Sequence, residues 1–256
     1  MTNEFDLINQ KLDILETEQS VWVLYAVESG SRAWGFASPD SDFDVRFIYV
    51  RPRDEYLRLD HTDDVIEYEI NDIMDIVGWD IAKALKLFHK SNPSLLEWLG
   101  SPIVYRTTSV FEGLRPLLAE YYQRRHGLYH YRSMAKKNFM ADFKNDQVRL
   151  KQYFYVIRPI LACKWILNND TPPPVLFSDL VANALEPELL PDMEDLLKRK
   201  SDTNESEKQV HIAMWDNWIQ ENLALLEGAA ENAEPDNKMP WSRLNTAFLE
   251  ILEYEY

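Results

Sequence analysis

The 256-residue sequence is poor in cysteine and has no long apolar run. Its one cysteine, Cys163, excludes an internal disulfide and a cysteine-rich zinc site. No run of eighteen apolar residues could span a membrane, and the opening segment MTNEFDLINQ lacks the basic and then apolar regions of a signal peptide. We therefore expect a cytoplasmic protein that has no membrane partner.

The first part of the chain alternates helix and strand patterns, whereas helix patterns alone follow after about Tyr105. The first elements predicted are a helix at Glu4 to Gln19, strands at Val21 to Glu28 and Phe43 to Val50, a hairpin of Val65 to Ile70 and Ile73 to Val77, and helices at Asp80 to Lys90 and Ser94 to Leu99. The helices predicted afterwards are Val110 to Arg125, Leu128 to Lys144, Asp146 to Asn168, Phe177 to Ala184, Pro187 to Lys200, Glu205 to Gly228 and Ser242 to Tyr254. These patterns predict an α/β fold of the α+β type, with a mixed or antiparallel sheet in residues 1–105 and a helical domain in residues 106–256.

The stretch GSRAWGFASPDSDFD, from Gly30 to Asp44, lies between two predicted strands. Because side chains alternate along a strand, Asp42 and Asp44 project from the same face. Two carboxylates suit a hard cation such as Mg²⁺, and two such ions about 4 Å apart can hold both oxygens of a phosphoryl transfer. Upstream, Gly30 permits close backbone approach, Ser31 offers a hydroxyl and an amide to a triphosphate, and Arg32 adds a charged contact.

Two simpler interpretations of this stretch remain open. Residues 38–42 are also typical of a type I turn in which an Asp caps its own backbone. A calcium loop is a further alternative, since Asp40, Asp42 and Asp44 fit its first three ligand positions. The calcium loop fails at its sixth position, which is Val45, and at its twelfth, which is Arg51.

The motif resembles the DNA polymerase β-like nucleotidyltransferase superfamily, in which Gly-Ser is followed after about ten residues by Asp-x-Asp on a strand. The run ESGSRAWGFASPDSDFDVRFIYV, with INDIMDIVGWDIAKAL, SNPSLLEWLGSPIVY and KQYFYVIRPILACKW, is similar to the narrower RlaP-like family of predicted nucleotidyltransferases associated with RNA repair. The resemblance implies a nucleotidyltransferase catalytic domain in residues 1–105 and a helical substrate-binding domain in residues 106–256.

The resemblance also implies a third acidic residue on a neighbouring strand. Asp75 lies between Met74 and Ile76, in the apolar setting that this role demands, and we expect it to bind metal and to receive the proton of the acceptor hydroxyl. The competing acidic residues are Glu67, Glu69 and Asp72. Asp80 has a structural explanation instead, because it precedes a helix pattern and is typical of an N-cap.

The formal net charge of −16 hides a basic segment. Residues 106–164 contain twelve Lys and Arg residues against four Asp and Glu residues, a net charge of +8. Lys144, Lys151, Tyr155 and Arg158 share one helical face by their spacing, which favours binding of a polyanion, and Lys151 and Arg158 are the candidate nucleotide ligands. The alternative is an ordinary solvated helix face.

The sequence therefore predicts a metal-dependent nucleotidyltransferase that moves a nucleoside monophosphate from an NTP such as ATP to a hydroxyl, with release of pyrophosphate. We expect Mg²⁺ as the cofactor, as two ions, with Mn²⁺ as an alternative. The metal candidates are Asp42, Asp44 and Asp75, and an RNA end is the acceptor that the resemblance suggests. Alternatives are nucleotidylation of a protein or small molecule by a toxin-like enzyme, and a non-catalytic nucleotide-binding or antitoxin-like partner.

Overall fold

The computed structural model describes residues 4–38, 41–60, 62–71, 73–169, 171–202, 207–237 and 239–254. The chain divides into two compact units, and neither unit is continuous in sequence. Residues 1–33, 42–121 and 238–256 belong to the first unit, and residues 34–41 and 122–237 belong to the second. The assignment of a catalytic domain to residues 1–105 and a substrate-binding domain to residues 106–256 stays a prediction.

The first unit is built on a five-stranded mixed sheet, which confirms the predicted fold class. Its strands are β1 (Trp22–Glu28), β2 (Phe43–Val50), β3 (Val65–Ile70), β4 (Met74–Asp80) and β5 (Val104–Thr107). The order across the sheet is β3-β4-β2-β1-β5, in which β2 and β4 are parallel and the other neighbours are antiparallel. The parallel pair at the centre places residues of β2 and β4 side by side in register.

Helices cover both faces of this sheet, which explains why β1 and β2 are nearly continuous apolar runs. The helices of the first unit are α1 (Glu4–Gln19), most of α2 (Gly30–Trp34), α3 (Ile81–His89), α4 (Pro93–Leu99), α5 (Ser109–Glu112), α6 (Leu118–Tyr121) and α12 (Ser242–Glu253). On one face, α1 buries Ile8, Leu12 and Leu15 in a cluster with β1 and β2 residues. On the other face, α3, α4, α5 and α12 share a second cluster with the sheet.

The second unit is helical around one central helix. Its helices are α7 (Arg124–Asp142), α8 (Leu150–Asn169), α9 (Phe177–Ala184), α10 (Leu190–Asp202) and α11 (Ala213–Glu231), with two short antiparallel strands, β6 (Gln147–Arg149) and β7 (Lys208–Val210). Most side chains of α8 are buried, including Cys163. Phe36 and Ser38 are held in this unit because Lys200 donates hydrogen bonds to the Phe36 carbonyl and the Ser38 hydroxyl, both at 2.8 Å.

Several predicted elements are confirmed, and the differences have local causes. The helix at Glu4–Gln19, the strand at Phe43–Val50 and the helix at Phe177–Ala184 have the predicted bounds. The helix predicted for Val110 to Arg125 is wrong, since Gly113 and Pro116 divide it into short turns. The prediction of helices alone after Tyr105 misses β6 and β7, whose three-residue strands are too short for a periodic pattern.

Three 3₁₀ helices complete the described elements, at Arg53–Leu57, Arg115–Leu117 and Pro187–Leu189. The predicted start of a helix at Glu205 lies outside the described residues. None of the helices in the described ranges combines the length and the hydrophobicity that crossing a bilayer requires.

Replacement of Gly78 by Ala tests the parallel β2–β4 pair. Gly78 lies opposite Phe47, and an added Cβ would come within 2.2 Å of two atoms of that ring. We expect Gly78→Ala to lower the free energy of unfolding by about 1–3 kcal/mol, the usual cost of overpacking. Denaturant unfolding measures the effect.

Gly228→Ala is the matched control, because Gly228 lies in α11 and an added Cβ meets nothing within 4 Å. This variant should gain up to about 1 kcal/mol from helix propensity. Equal effects of the two substitutions would show that the Phe47 ring does not constrain β4.

Candidate active site

Asp44 and Asp75 lie side by side on the two parallel strands. The register of β2 and β4 pairs Asp44 with Asp75 directly. Neighbouring strands are about 4.8 Å apart, so paired side chains on the same face of the sheet lie next to each other. The two side chains are 25% and 27% exposed. The structure thus brings together two of the three predicted carboxylates at the N-terminal ends of two interior strands.

Arg46 joins these two carboxylates, and the sequence analysis does not identify it. Its Nη2 atom lies 2.8 Å from Asp44 Oδ1 and 2.8 Å from Asp75 Oδ2. Its Nη1 atom donates to the Asp75 carbonyl at 2.9 Å. The available signal was the strand period, because Arg46 follows Asp44 by two residues and therefore shares its face.

Asp42 precedes β2 and is exposed. Its carboxylate acts on Asp44 across this short distance in the chain. Burial raises the pKa of Asp44, the Arg46 guanidinium opposes that rise, and the carboxylates of Asp42 and Asp75 add to it. The carboxylates of Asp42 and Asp75 therefore both act electrostatically on Asp44. Pro39 and Asp40, which the turn and calcium-loop interpretations require, lie outside the described residues.

Gly30 and Ser31 begin the short helix α2, which lies between β1 and β2. Gly30 has a φ of 59°, and a Cβ at this position would lie 2.0 Å from Asp44 Oδ2. Only glycine tolerates both the left-handed backbone and the approach of this carboxylate. The Ser31 side chain is half-buried, and its hydroxyl has no hydrogen-bond partner in the part of the chain that the structure describes.

Arg32 is held against the start of β2. Its Nε donates to the Asp42 carbonyl at 2.9 Å, and its guanidinium lies 3.8 Å from the centre of the Phe43 ring. The side chain therefore adds positive charge near Asp42 while its position is already defined by hydrogen bonding and by a cation–π contact.

Glu28 supports Asp44 from the adjacent strand, and the sequence analysis does not identify it either. It is fully buried at the end of β1. One carboxyl oxygen accepts the backbone N–H of Asp44 at 2.8 Å, and the other accepts the hydroxyl of Tyr105. Burial raises the pKa of Glu28 to about 7. A charged residue at the end of the apolar run VWVLYAVE was the available signal.

The competitors of Asp75 have other surroundings. Glu69 forms an ion pair with Lys11, and Glu67 is exposed on β3. Asp72 lies outside the described residues. Asp80 is the N-cap of α3, as predicted, because its carboxylate accepts the Ala82 N–H at 2.7 Å.

The basic segment differs from its expected form. Lys144 lies between α7 and β6, so it does not share a helix with Lys151 and Arg158, which are both in α8. Lys151 is half-buried, whereas Arg158 is only 3% exposed. The alternative of an ordinary solvated helix face does not hold for Arg158, because its guanidinium packs 4.3 Å from the centre of the Trp34 ring. Its assignment as a nucleotide ligand stays a prediction.

Acidic partners neutralise part of that segment. Arg132 and Lys136 both pair with Glu227, and Lys164 pairs with Glu186. These pairs could not be recognised from charge counts, since their acidic members lie outside residues 106–164. The uniform polyanion-binding face predicted from the local charge is accordingly interrupted.

No group of three or more His, Cys, Asp and Glu side chains in the described ranges has the arrangement of a complete metal site. Asp44 and Asp75 each turn one oxygen to Arg46. The remaining oxygen of Asp75, Oδ1, is buried without a hydrogen-bond partner among the described residues. Such an atom is costly to bury unless a cation or donor approaches it.

Comparison with known proteins identifies the family. The model of a family described as "RlaP: RNA repair pathway DNA polymerase beta family" matches residues 6–250. The chain belongs to the RlaP family. It is also 43% identical over 251 residues to the uncharacterized protein YcgL of Bacillus subtilis (strain 168), covering 96% of this chain and 95% of that protein. The predicted resemblance is confirmed, and with it the link to DNA polymerase β-like nucleotidyltransferases and to RNA repair.

Gly30→Ala tests whether the family motif needs glycine here for steric reasons. An L side chain at positive φ costs about 1–2 kcal/mol, and the added Cβ would also displace the Asp44 carboxylate. We expect a loss of stability and a moved Asp44 side chain. Denaturant unfolding and a crystal structure of the variant measure both effects.

Gly35→Ala is the control, since Gly35 also has a positive φ but its added Cβ would meet only a Leu176 side-chain atom at 3.2 Å. It should cost stability and leave Asp44 in place. An unmoved Asp44 in Gly30→Ala would contradict the steric argument.

Glu28→Gln tests the buried carboxyl group. The pKa of Glu28 is raised from 4.5 to about 7, so its contribution to stability is present below pH 4.5 and is lost as the pH rises through 7. Gln resembles the protonated acid and can still accept the Asp44 N–H. In buffer with EDTA, the variant should melt at a higher temperature than wild type at pH 8, with little difference near pH 5.

Glu67→Gln, an exposed substitution on β3, should show no such pH dependence. Lower melting temperatures for Glu28→Gln at both pH values would mean that the negative charge itself stabilises the fold.

Proposed function

We propose that this RlaP-family protein is a metal-dependent nucleotidyltransferase that transfers a nucleoside monophosphate from an NTP to a hydroxyl. The observation that carries the proposal is the pairing of Asp44 with Asp75 on parallel strands, directly against Gly30. Arg46 supplies one positive charge against these two carboxylates, so the pair keeps a net negative charge that favours a bound cation. The family supplies the reaction class.

Asp42, Asp44 and Asp75 would hold divalent metal, with Mg²⁺ as the preferred ion and Mn²⁺ as its substitute. Their oxygen atoms are the ligands that Mg²⁺ prefers, and Mg²⁺ is usually bound through one or two carboxylates together with substrate phosphates. An incomplete set of protein ligands is therefore compatible with this ion. The unpartnered Asp75 Oδ1 also fits a cation site. When bound, two such ions polarise the phosphate and stabilise the attacking and leaving oxygens.

The arrangement around these carboxylates suits an NTP. Gly30 leaves the space that a side chain would fill, and Ser31 offers a backbone N–H and a hydroxyl to phosphate oxygens. Arg32 supplies positive charge beside Asp42. Lys151 and Arg158 remain proposed nucleotide ligands. Because Arg158 is buried against the Trp34 ring, it is better suited to contact the base of a nucleotide than its phosphates.

In the reaction, the acceptor hydroxyl oxygen forms a bond to the α-phosphorus of the NTP. The bond from that phosphorus to the pyrophosphate oxygen breaks, and pyrophosphate leaves. The hydroxyl proton passes to the Asp75 carboxylate, which acts as the general base. Arg46 fixes the orientation of Asp75 and Asp44 through its two ion pairs. An RNA end is the proposed acceptor, because the family is described by an RNA repair pathway.

Incubation with each labelled NTP, Mg²⁺ and total RNA or total protein tests the acceptor. Label on RNA supports the proposal in full. Label on protein or on a small molecule would retain the reaction class and overturn the RNA acceptor. Absence of transfer with every NTP, in a protein that binds nucleotide, would indicate a non-catalytic nucleotide-binding partner.

Removal of each carboxylate should abolish transfer without unfolding the protein. We expect Asp42→Asn, Asp44→Asn and Asp75→Asn to lower turnover by at least roughly a hundredfold, the scale lost when a preorganised electrostatic group is removed. Thermal melts recorded beside turnover separate activity from stability.

Asp54→Asn, at an exposed position of the first unit, is the control and should retain full turnover. Substantial activity in a folded Asp44→Asn, Asp75→Asn double variant would exclude the two-carboxylate mechanism.

A further inference from the structure

The second unit contains a small cavity lined by aromatic side chains. Its volume is about 200 Å³, and its walls include Trp34, Phe154, Tyr155 and Arg158. Pockets for drug-sized ligands have volumes of roughly 300–1,000 Å³. The cavity therefore suits one ring system and is too small for a whole nucleotide.

The walls of this cavity are planar groups held at defined angles. The rings of Trp34 and Tyr155 are 6.0 Å apart and meet at 81°. The Arg158 guanidinium lies against the indole of Trp34, 4.3 Å from the ring centre. Aromatic side chains and guanidinium planes are the groups on which unpaired bases stack in nucleic-acid complexes.

One polar side chain enters the lining with a fixed orientation. Pro159 lies inside α8 and has no N–H, so it leaves the carbonyl of Tyr155 without its usual helical donor. Asn138 Nδ2 donates to that carbonyl at 2.9 Å. This hydrogen bond fixes the orientation of the side-chain amide, with Nδ2 toward the Tyr155 carbonyl. Asn138 Oδ1 has no hydrogen-bond partner among the described residues. An oriented amide can hydrogen-bond the edge of a base.

A wider groove along α7 lies next to the cavity. The groove has a volume of about 570 Å³ and shares Met134 and Asn138 with the cavity. Its lining includes His126, His130 and Lys137. An aromatic cavity beside a groove with cationic and imidazole groups matches a base and its neighbouring sugar and phosphate.

We propose that this cavity binds the planar ring of a nucleobase, stacked on the face of one of the rings of Trp34 and Tyr155, with its edge toward the other ring, and hydrogen-bonded by Asn138. The proposal rests on the proposed function, which makes nucleotides the substrates of this protein. Two sources supply the same chemistry, a free NTP and the terminal nucleotide of an RNA strand. The role of Arg158 is then to hold the Trp34 ring in place through its cation–π contact.

Binding measurements with Trp34→Ala and Tyr155→Ala test the proposal. The probes are the four NTPs, inorganic tripolyphosphate, a short single-stranded RNA, and the same RNA with an abasic terminal nucleotide. Loss of a base stack weakens affinity by roughly five- to 150-fold. If the NTP supplies the base, NTP affinity falls by this factor while tripolyphosphate affinity is unchanged. If the RNA end supplies it, the affinity of the intact RNA falls to that of the abasic RNA.

A conservative variant distinguishes loss of the ring from misfolding. Tyr155→Phe keeps the ring and should retain wild-type affinity. Asn138→Leu removes the hydrogen-bonding amide, so it should weaken binding and change the order of preference among bases. Met140→Ala, at an exposed position of α7, is the control and should change neither affinity. Wild-type affinities for every probe in folded Trp34→Ala and Tyr155→Ala variants would overturn the proposal.

Transferase activity, measured beside binding, separates this proposal from the proposed function. Base-dependent binding that persists in a wild-type protein with no transferase activity would support the cavity and overturn the proposed function. Transfer that continues at the wild-type rate in Trp34→Ala and Tyr155→Ala, with unchanged affinities, would overturn the cavity alone.

Discussion

The parallel pairing of β2 with β4 is the constraint on which the candidate site depends. It places Asp44 against Asp75, so that two acidic side chains share a surface where they repel each other. Arg46 offsets this repulsion with one guanidinium that contacts both carboxylates at 2.8 Å. Because Arg46 lies on the same face as Asp44, the strand that creates the repulsion also carries its compensation.

The neighbouring strand β1 adds a second level of support. Its final residue, Glu28, is a buried carboxyl group whose oxygens accept hydrogen bonds from the Tyr105 hydroxyl and the Asp44 N–H. The hydrogen bonds hold the backbone of Asp44, while Gly30 leaves room for its carboxylate. The position of Asp44 is therefore set by its backbone and by its neighbours together.

Much of this arrangement follows from local patterns, and the rest depends on distant contacts. Asp42 and Asp44 could be selected by their spacing after Gly30-Ser31, and Asp75 by its apolar neighbours in a predicted strand. Their catalytic roles stay predictions. Arg46 and Glu28 could not be assigned, because their partners are reached through strand pairing that no local pattern specifies. The burial of Arg158 could not be predicted either, since periodicity places residues on a helix face without indicating what covers that face.

The discontinuity of both units has a consequence for synthesis of the chain. Residues 34–41, which separate Ser31 from Asp42, belong to the second unit, and α12 belongs to the first. Domains usually fold as units while the ribosome extends them from the N-terminal side. Here the helix at Ser242–Glu253 packs in the same cluster as α3, so the core beside the sheet that carries the acidic residues is complete only after translation has passed residue 253. A fragment released earlier would therefore expose the apolar surface that this helix covers.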